Sequence, residues 1–486
     1  MSDTHEQASR IAYGTAARFV GRILGAIISL VALREATHYF GPLQWGPITV
    51  ALAWVSVFSF LGSPGIATLT MREIARPKAD TGSVFGKALT ATLVVSVGAG
   101  LAALALGLPI YWGKTETLAM ILILVPSIPF MALTMAGGSV LVGRGRSGLR
   151  ASLDTISSVL VLAATLVVVE GRLDFRGYAV AYLAAVIASG VVALALAVRF
   201  IRPKLRGSGH GMSTMLRASL PFGQFDLFAV VYARADSIML FLIRGSRPVA
   251  YYAVAYQVAN FLFAMPAMLS NALLPEYMTA SEERRQFLAR RALDVILTVA
   301  LPLPLFGIVF ARPFAVWIAG MRFASAGAPL AILTGAGAIA LLNGYLFQLV
   351  TFVGAEKGLW RVIATVTTAN LAGNAVAVTL WGVDGAAGVM ILSEAIGLVM
   401  YWRLYRSKMP NPLGRRYPLS VAVATIGLIA AWWALHRGVA FGPGTGLSIL
   451  PTGLALAAIY AALLKFITLV ARQWIGHRHR GATSIN

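Results

Sequence analysis

Long apolar runs, each closed by a short polar or basic turn, follow one another through nearly the whole chain. A bilayer core takes about 20 residues of helix, and runs of that length recur roughly fourteen times. The pattern predicts spans near 11–33, 43–62, 84–108, 117–142, 151–170, 178–201, 217–243, 249–274, 289–311, 325–354, 359–380, 385–405, 417–436 and 446–471. Connections are short, which makes neighbouring helices antiparallel. They leave no room for a soluble catalytic or nucleotide-binding domain. The fold class expected is therefore all-α and polytopic. Residues 1–201 form a first lobe of six spans, 202–216 a connecting loop, and 217–405 a second lobe. Residues 406–486 hold the last two spans and a basic tail.

Composition agrees with the pattern. Of 486 residues 58% are hydrophobic and 12% charged, with mean hydropathy +0.78; soluble domains carry about 25% charged residues. The net charge of +22 would suggest nucleic acid in a soluble protein. Here the basic residues sit in short loops, and no nucleic-acid partner is expected. With the N-terminus in the cytoplasm, cytoplasmic segments hold 27 Lys and Arg and the opposite side holds 9. That bias orients the chain, with both termini cytoplasmic. The absence of cysteine excludes disulfides and thiolate chemistry.

A weak repeat relates the halves. Trp45-Gly46-Pro47 opens the second span and Tyr251-Tyr252-Ala253 opens the eighth, each after a span that carries charges. Two parallel-topology halves of this kind place a binding site at their interface, near the midplane.

The chemistry must come from polar groups inside the spans. Gly107…Gly113-Lys114-Thr115 has five residues between its glycines where a phosphate-binding loop needs four. Neither a metal site nor a resident cofactor is expected, since the histidines are scattered. A charge at mid-membrane costs about 2.5–3.5 kcal/mol on insertion scales, so it faces a polar interior. Arg18 and Arg22 share one helix face. Two guanidinium groups there suit a phosphate or pyrophosphate, although Arg18 could instead snorkel to the lipid surface. In the seventh span, Arg234 and Asp236 lie about 160° apart around a helix. One is expected on a cavity and the other paired within its own half. Asp226, Asp236 and Glu394 are the carboxylates available for coupling to an H+ or Na+ gradient. Asn260 and Asn374 are candidate cargo-binding amides.

The runs Arg234-Ala-Asp236-Ser-Ile-Met-Leu, Val249-Ala-Tyr251-Tyr252-Ala and Leu273-Leu-Pro275 resemble the bacterial polysaccharide (O-antigen type) flippases. These belong to the multidrug/oligosaccharidyl-lipid/polysaccharide exporter superfamily. Phe40-Gly41-Pro42, Arg72-Glu73-Ile74-Ala75-Arg76 and Ser393-Glu394 add to the resemblance, which covers about residues 10–405. It implies two pseudo-symmetric, six-helix, MATE-like lobes around a basic cavity, with two further C-terminal helices. The implied cargo is an undecaprenyl-pyrophosphate-linked oligosaccharide, flipped by alternating access across the inner membrane for surface-polysaccharide assembly. Arg18, Arg22, Arg234, Asn260 and Asn374 would bind it, in contact with membrane lipids and alongside polymerase and chain-length machinery. The alternatives are a peptidoglycan-precursor (lipid II) flippase and a cation-coupled multidrug exporter, whose cavity would be acidic and aromatic. A membrane glycan polymerase or ligase generally needs a large outer loop, and none is present. A transporter, not an enzyme, is expected.

Overall fold

The computed structural model describes residues 2–205, 211–279, 281–352 and 358–407, with side chains excluded at 2–20, 22–23, 261, 264–279, 352 and part of 282–306. The two C-terminal spans expected at 417–436 and 446–471 lie outside the described residues. Those residues form thirteen α-helices and one 3-10 helix, with no strand among them. The first lobe holds α1 (Ser2–Leu61), α2 (Ile66–Ala75), α3 (Thr81–Ile110), α4 (Thr115–Leu124), α5 (Ser127–Gly143), α6 (Ser147–Glu170) and α7 (Phe175–Phe200). The second holds α8 (Met212–Arg244), α9 (Ser246–Thr279), α10 (Glu282–Ala300), α11 (Leu303–Ala319), the 3-10 turn Met321–Ala326, α12 (Gly327–Phe352) and α13 (Leu359–Arg406).

Two helices are too long to be straight. Sixty residues would extend about 90 Å, and α1 instead breaks at Gly41, where φ is 69° and ψ 177°. Residues 21–39 run alongside 151–173 of α6 and its following turn. The second arm returns, with Trp45 against Tyr178 at one end and Gly65 against Ser219 just past the other. In the same way α13 breaks at Gly382 and folds back until Leu404 packs near Gly358. Gly245, between α8 and α9, has a backbone conformation close to that of Gly41 (φ 86°, ψ −165°), at the matching place in the second lobe.

Among the described residues six helices are long and apolar enough to cross a membrane, and the pair α4–α5, bent by 47° at Pro126, makes a seventh. The ninth expected span, 289–311, is two helices meeting at Leu301–Pro302, and the second of them continues to Ala319. The short helix α2 lies where the sequence suggested a loop. Connections alternate between two faces. One face carries Gly41, Tyr111–Lys114, Gly245, Gly320 and Gly382. The other carries α2, Asp80 and residues 201–205. Trp112 and Trp381 are exposed near the first face and Trp360 toward the second, as interfacial belts require.

The core is divided unequally. Near the Gly41 face a single apolar cluster joins both lobes, with Phe40, Trp45 and Tyr111 of the first packed with Phe241, Tyr252 and Phe323 of the second. Near the α2 face each lobe has its own cluster. Among the described side chains, a small group, Ile66, Ala88 and Ala91 with Met215, bridges them there.

Candidate functional site

A cavity of about 370 Å³ lies between the lobes. Ser29, Trp45, Ser158 and Tyr182 line it from the first lobe; Arg234, Tyr256 and Gln257 line it from the second. Arg234 forms no ion pair and donates no hydrogen bond to a described residue, and it lies near Tyr182 and Tyr256. The wall also holds two unsatisfied donors. Trp45 Nε1 and Thr49 Oγ1 are buried without a partner among the described residues, one helical turn apart. Leaving such a group unpaired costs about 1–3 kcal/mol.

Asp236 points the other way. It is 1% exposed, accepting from the Tyr252 hydroxyl at 2.5 Å and from Asn374 Nδ2 at 3.3 Å. Asn374 also donates to Asn370, whose amide reaches the Ser393 hydroxyl at 3.2 Å. Asn374, expected on the cargo cavity, is therefore fully buried inside the second lobe as a partner of Asp236. Asn260 is exposed and belongs to the lining of neither cavity described here. Gln257, almost one turn earlier, lines the cavity in its place. An amide three positions away lies on a different part of the helix surface, which polarity alone does not reveal.

Glu394 lines a second cavity of about 360 Å³ within the second lobe, with Tyr232, Tyr256, Phe263, Phe347 and Gln348. Its carboxylate accepts from Tyr232 and from Asn343 Nδ2, both at 2.7 Å, and pairs with no cation among the described residues. Tyr256 belongs to both cavities and stacks on Tyr252, with ring centroids 5.9 Å apart. Asp226 lies apart from both cavities, near Gly65 at the α2 face. The side chains of Arg18 and Arg22 lie outside the described residues; Gly25 and Ser29, further along the same helix, pack against Ser158.

The tyrosines are what sequence reasoning missed. Tyr178 with Tyr182 and Tyr252 with Tyr256 are each four apart, a spacing that puts a pair of hydroxyl-bearing rings on one helix face.

The lobes are tied across both faces. Near the Gly41 face Arg34 donates to the Trp317 carbonyl at the end of α11. Arg322 returns the contact, donating at 2.8 Å to the carbonyl of His38. A Cβ at Gly41 would stand 2.9 Å from the Arg322 guanidinium, so the glycine serves both the turn and this tie. Lys114 adds a cation–π contact to Phe241 at 4.6 Å. Near the α2 face, Arg72 stacks over Phe222 at 4.7 Å. Beside it Gly223 passes so close to Pro64 that an added Cβ would be 2.8 Å from its carbonyl carbon.

Solved structures share this architecture. The chain aligns with "Lipid II flippase MurJ, inward closed conformation" at 12% identity and TM-score 0.77, covering 94% of this chain and 99% of that one. It aligns with an inward-facing multidrug resistance MATE family transporter of the MOP superfamily at 12% identity and TM-score 0.61, covering 84% and 98%. The MATE multidrug transporter DinF-BH follows at 15% identity and TM-score 0.62, covering 82% and 95%. These likenesses establish the fold as that of the exporter superfamily. No curated protein sequence matches the chain. Residues 11–280, more than half of the sequence, match the family described as polysaccharide biosynthesis protein, and the chain belongs to that family.

Proposed function

We propose that the protein moves a polyprenyl-pyrophosphate-linked oligosaccharide between the leaflets of the inner membrane, by alternating access of the inter-lobe cavity, for surface-polysaccharide assembly. It acts as a transporter and not as an enzyme. One observation carries this reading. Arg234 stands in a cavity between two lobes with no described counter-ion, among hydroxyls and aromatic rings. A guanidinium so placed suits a pyrophosphate, which it can hold through two parallel hydrogen bonds. It repels the cationic drugs that the exporter alternative would carry. The family assignment supports the same reading, as does a lipid II flippase among the structural relatives. Loop charge supports the α2 face as the cytoplasmic one, with both termini on that side. Asp236 and Glu394 supply the coupling. Each is a buried carboxylate held by neutral donors with no described cation beside it, so a proton or a bound cation would offset the cost of its charge.

The test is transport by purified protein in liposomes carrying defined lipid-linked sugars, with and without an imposed gradient. Arg234→Ala should lose transport at least about tenfold, while Arg234→Lys, which keeps charge but not the planar fork, retains part. Arg22→Ala is compared in parallel. Asp236→Asn or Glu394→Gln should abolish the response to the gradient. Full transport by Arg234→Ala removes the anion-binding reading. Unaltered gradient dependence in both carboxylate variants makes those groups structural. A peptidoglycan precursor offered beside other lipid-linked sugars separates the two flippase readings.

A further inference from the structure

We infer that the inter-lobe cavity holds a pyranose subsite beside Arg234, built from Trp45, Thr49, Tyr178 and Tyr182. The inference rests on the flippase reading and adds to it which residues meet the first sugar. Seven buried side-chain polar atoms lack a partner among the described residues. Only Trp45 Nε1 and Thr49 Oγ1 belong to residues lining this cavity. The two are four residues apart in α1 and so share a helix face. An indole N–H can only donate. No described residue accepts from it, and an acceptor on what enters the cavity would satisfy it once the indole turns toward the opening.

The aromatic neighbours define the class of that ligand. Tyr178 and Tyr182 stack with centroids 6.4 Å apart and planes 26° apart. Trp45 meets Tyr178 edge-on at 6.1 Å. Tyr182 in turn lies near Arg234. The order along the cavity wall is therefore cation, ring stack, unpaired indole. A sugar ring joined to a pyrophosphate presents the same order: an anion, then an apolar C–H face, then equatorial oxygens. Amphipathic rings with an apolar body and a polar edge fit that alternation. A drug-like cation would use the rings and leave both donors unpaired.

The experiment measures binding of two probes to purified full-length protein in detergent: a polyprenyl pyrophosphate, and the same lipid bearing one N-acetylhexosamine. Wild-type protein should prefer the sugar-bearing lipid. Trp45→Phe keeps the ring and removes the N–H. It should lower affinity for the sugar-bearing lipid about fivefold, the effect of one neutral hydrogen bond, and leave the sugar-free lipid unaffected. Thr49→Val, close in volume, should do the same, which guards against a folding defect in the Trp45 variant. Tyr182→Leu should remove most of the remaining preference. If the variants weaken both probes equally, or leave the preference intact, the subsite is wrong. Wild-type protein that binds both probes equally also overturns it, while leaving the pyrophosphate reading standing. Wild-type protein that binds neither overturns both.

Discussion

The two faces of the molecule close the same cavity by different physics. At the Gly41 face the lobes share a continuous apolar core, topped by reciprocal arginine-to-carbonyl bonds from Arg34 and Arg322. At the α2 face the described side chains meet through four buried residues, a glycine–proline contact and one stacked arginine. Apolar burial contributes about 25 cal/mol per Å², so the broader contact holds more strongly. A transporter needs both contacts to break in turn. Among the described side chains, the Gly41 face is therefore the more extensively sealed of the two. In the orientation proposed above, the thin side is the cytoplasmic one.

Backbone proximity makes the thin seal the more fragile. Gly65 has φ 68°, and a Cβ there would overlap the Ser219 carbonyl and the Gly223 nitrogen. A β-branched residue at a left-handed position is strained by about 1–2 kcal/mol even before the overlap. Gly65→Val should therefore hold the α2 face open and reduce transport more than about tenfold. Spin labels at positions 76 and 217 would move apart, while labels at 172 and 247 stay in place. The absence of native cysteine makes such labelling direct. If both distances change together, the two seals are one unit and the comparison fails.

The broad seal should resist loss of its polar ties. Hydrogen bonds of this kind contribute about 1 kcal/mol each. The double variant Arg34→Ala with Arg322→Ala should shift the closed-to-open ratio at the Gly41 face about 30-fold, seen as a minor second distance between labels at 172 and 247. Transport should change only a few-fold, because the shared core remains. Complete opening would mean that the arginines, and not the core, hold that face.

The smallest effect belongs to a strap on the thin side. The stretch entering the inter-lobe loop is pinned to α3, with Lys204 N–H donating to the Gly82 carbonyl at 2.9 Å and Lys204 Nζ reaching Asp80 at 3.0 Å. That lysine, with the Ser83 N–H, holds the Asp80 carboxyl below the usual carboxylate range. The pin is complete above the ordinary carboxylate pKa and is lost as pH falls through the lowered value. Asp80→Asn should remove this pH response, with less than a twofold effect on transport. Hydrogen exchange at the Lys204 amide, compared with a reference peptide at each pH, checks it. A large transport defect would show that the strap is part of the seal.

Much of the architecture could be read from the chain, because membrane helices must satisfy their backbone internally and announce themselves by length. The separation of Arg234 from Asp236 also followed from helix geometry: two residues apart cannot share a narrow stripe. The directions of the amides did not follow. Hydropathy registers Asn260 and Asn374 as polar, but not whether each faces lipid, cavity or a neighbouring helix. The tyrosine walls were hidden for the opposite reason, since a ring long enough to pack among apolar neighbours passes for one of them. The reciprocal arginines depend on contacts between residues more than 280 positions apart, and no local pattern encodes those.

Tyr256 has one ring and two rooms. Because it forms part of the wall of both the inter-lobe cavity and the Glu394 cavity, any occupant that displaces it on one side changes the shape offered on the other. Thermodynamic linkage then makes the influence mutual: the factor by which an occupant of one room alters affinity in the other is returned unchanged. If an ion occupies the Glu394 cavity, a titration that finds cargo affinity altered by that ion therefore fixes, without further measurement, how much the cargo alters affinity for the ion.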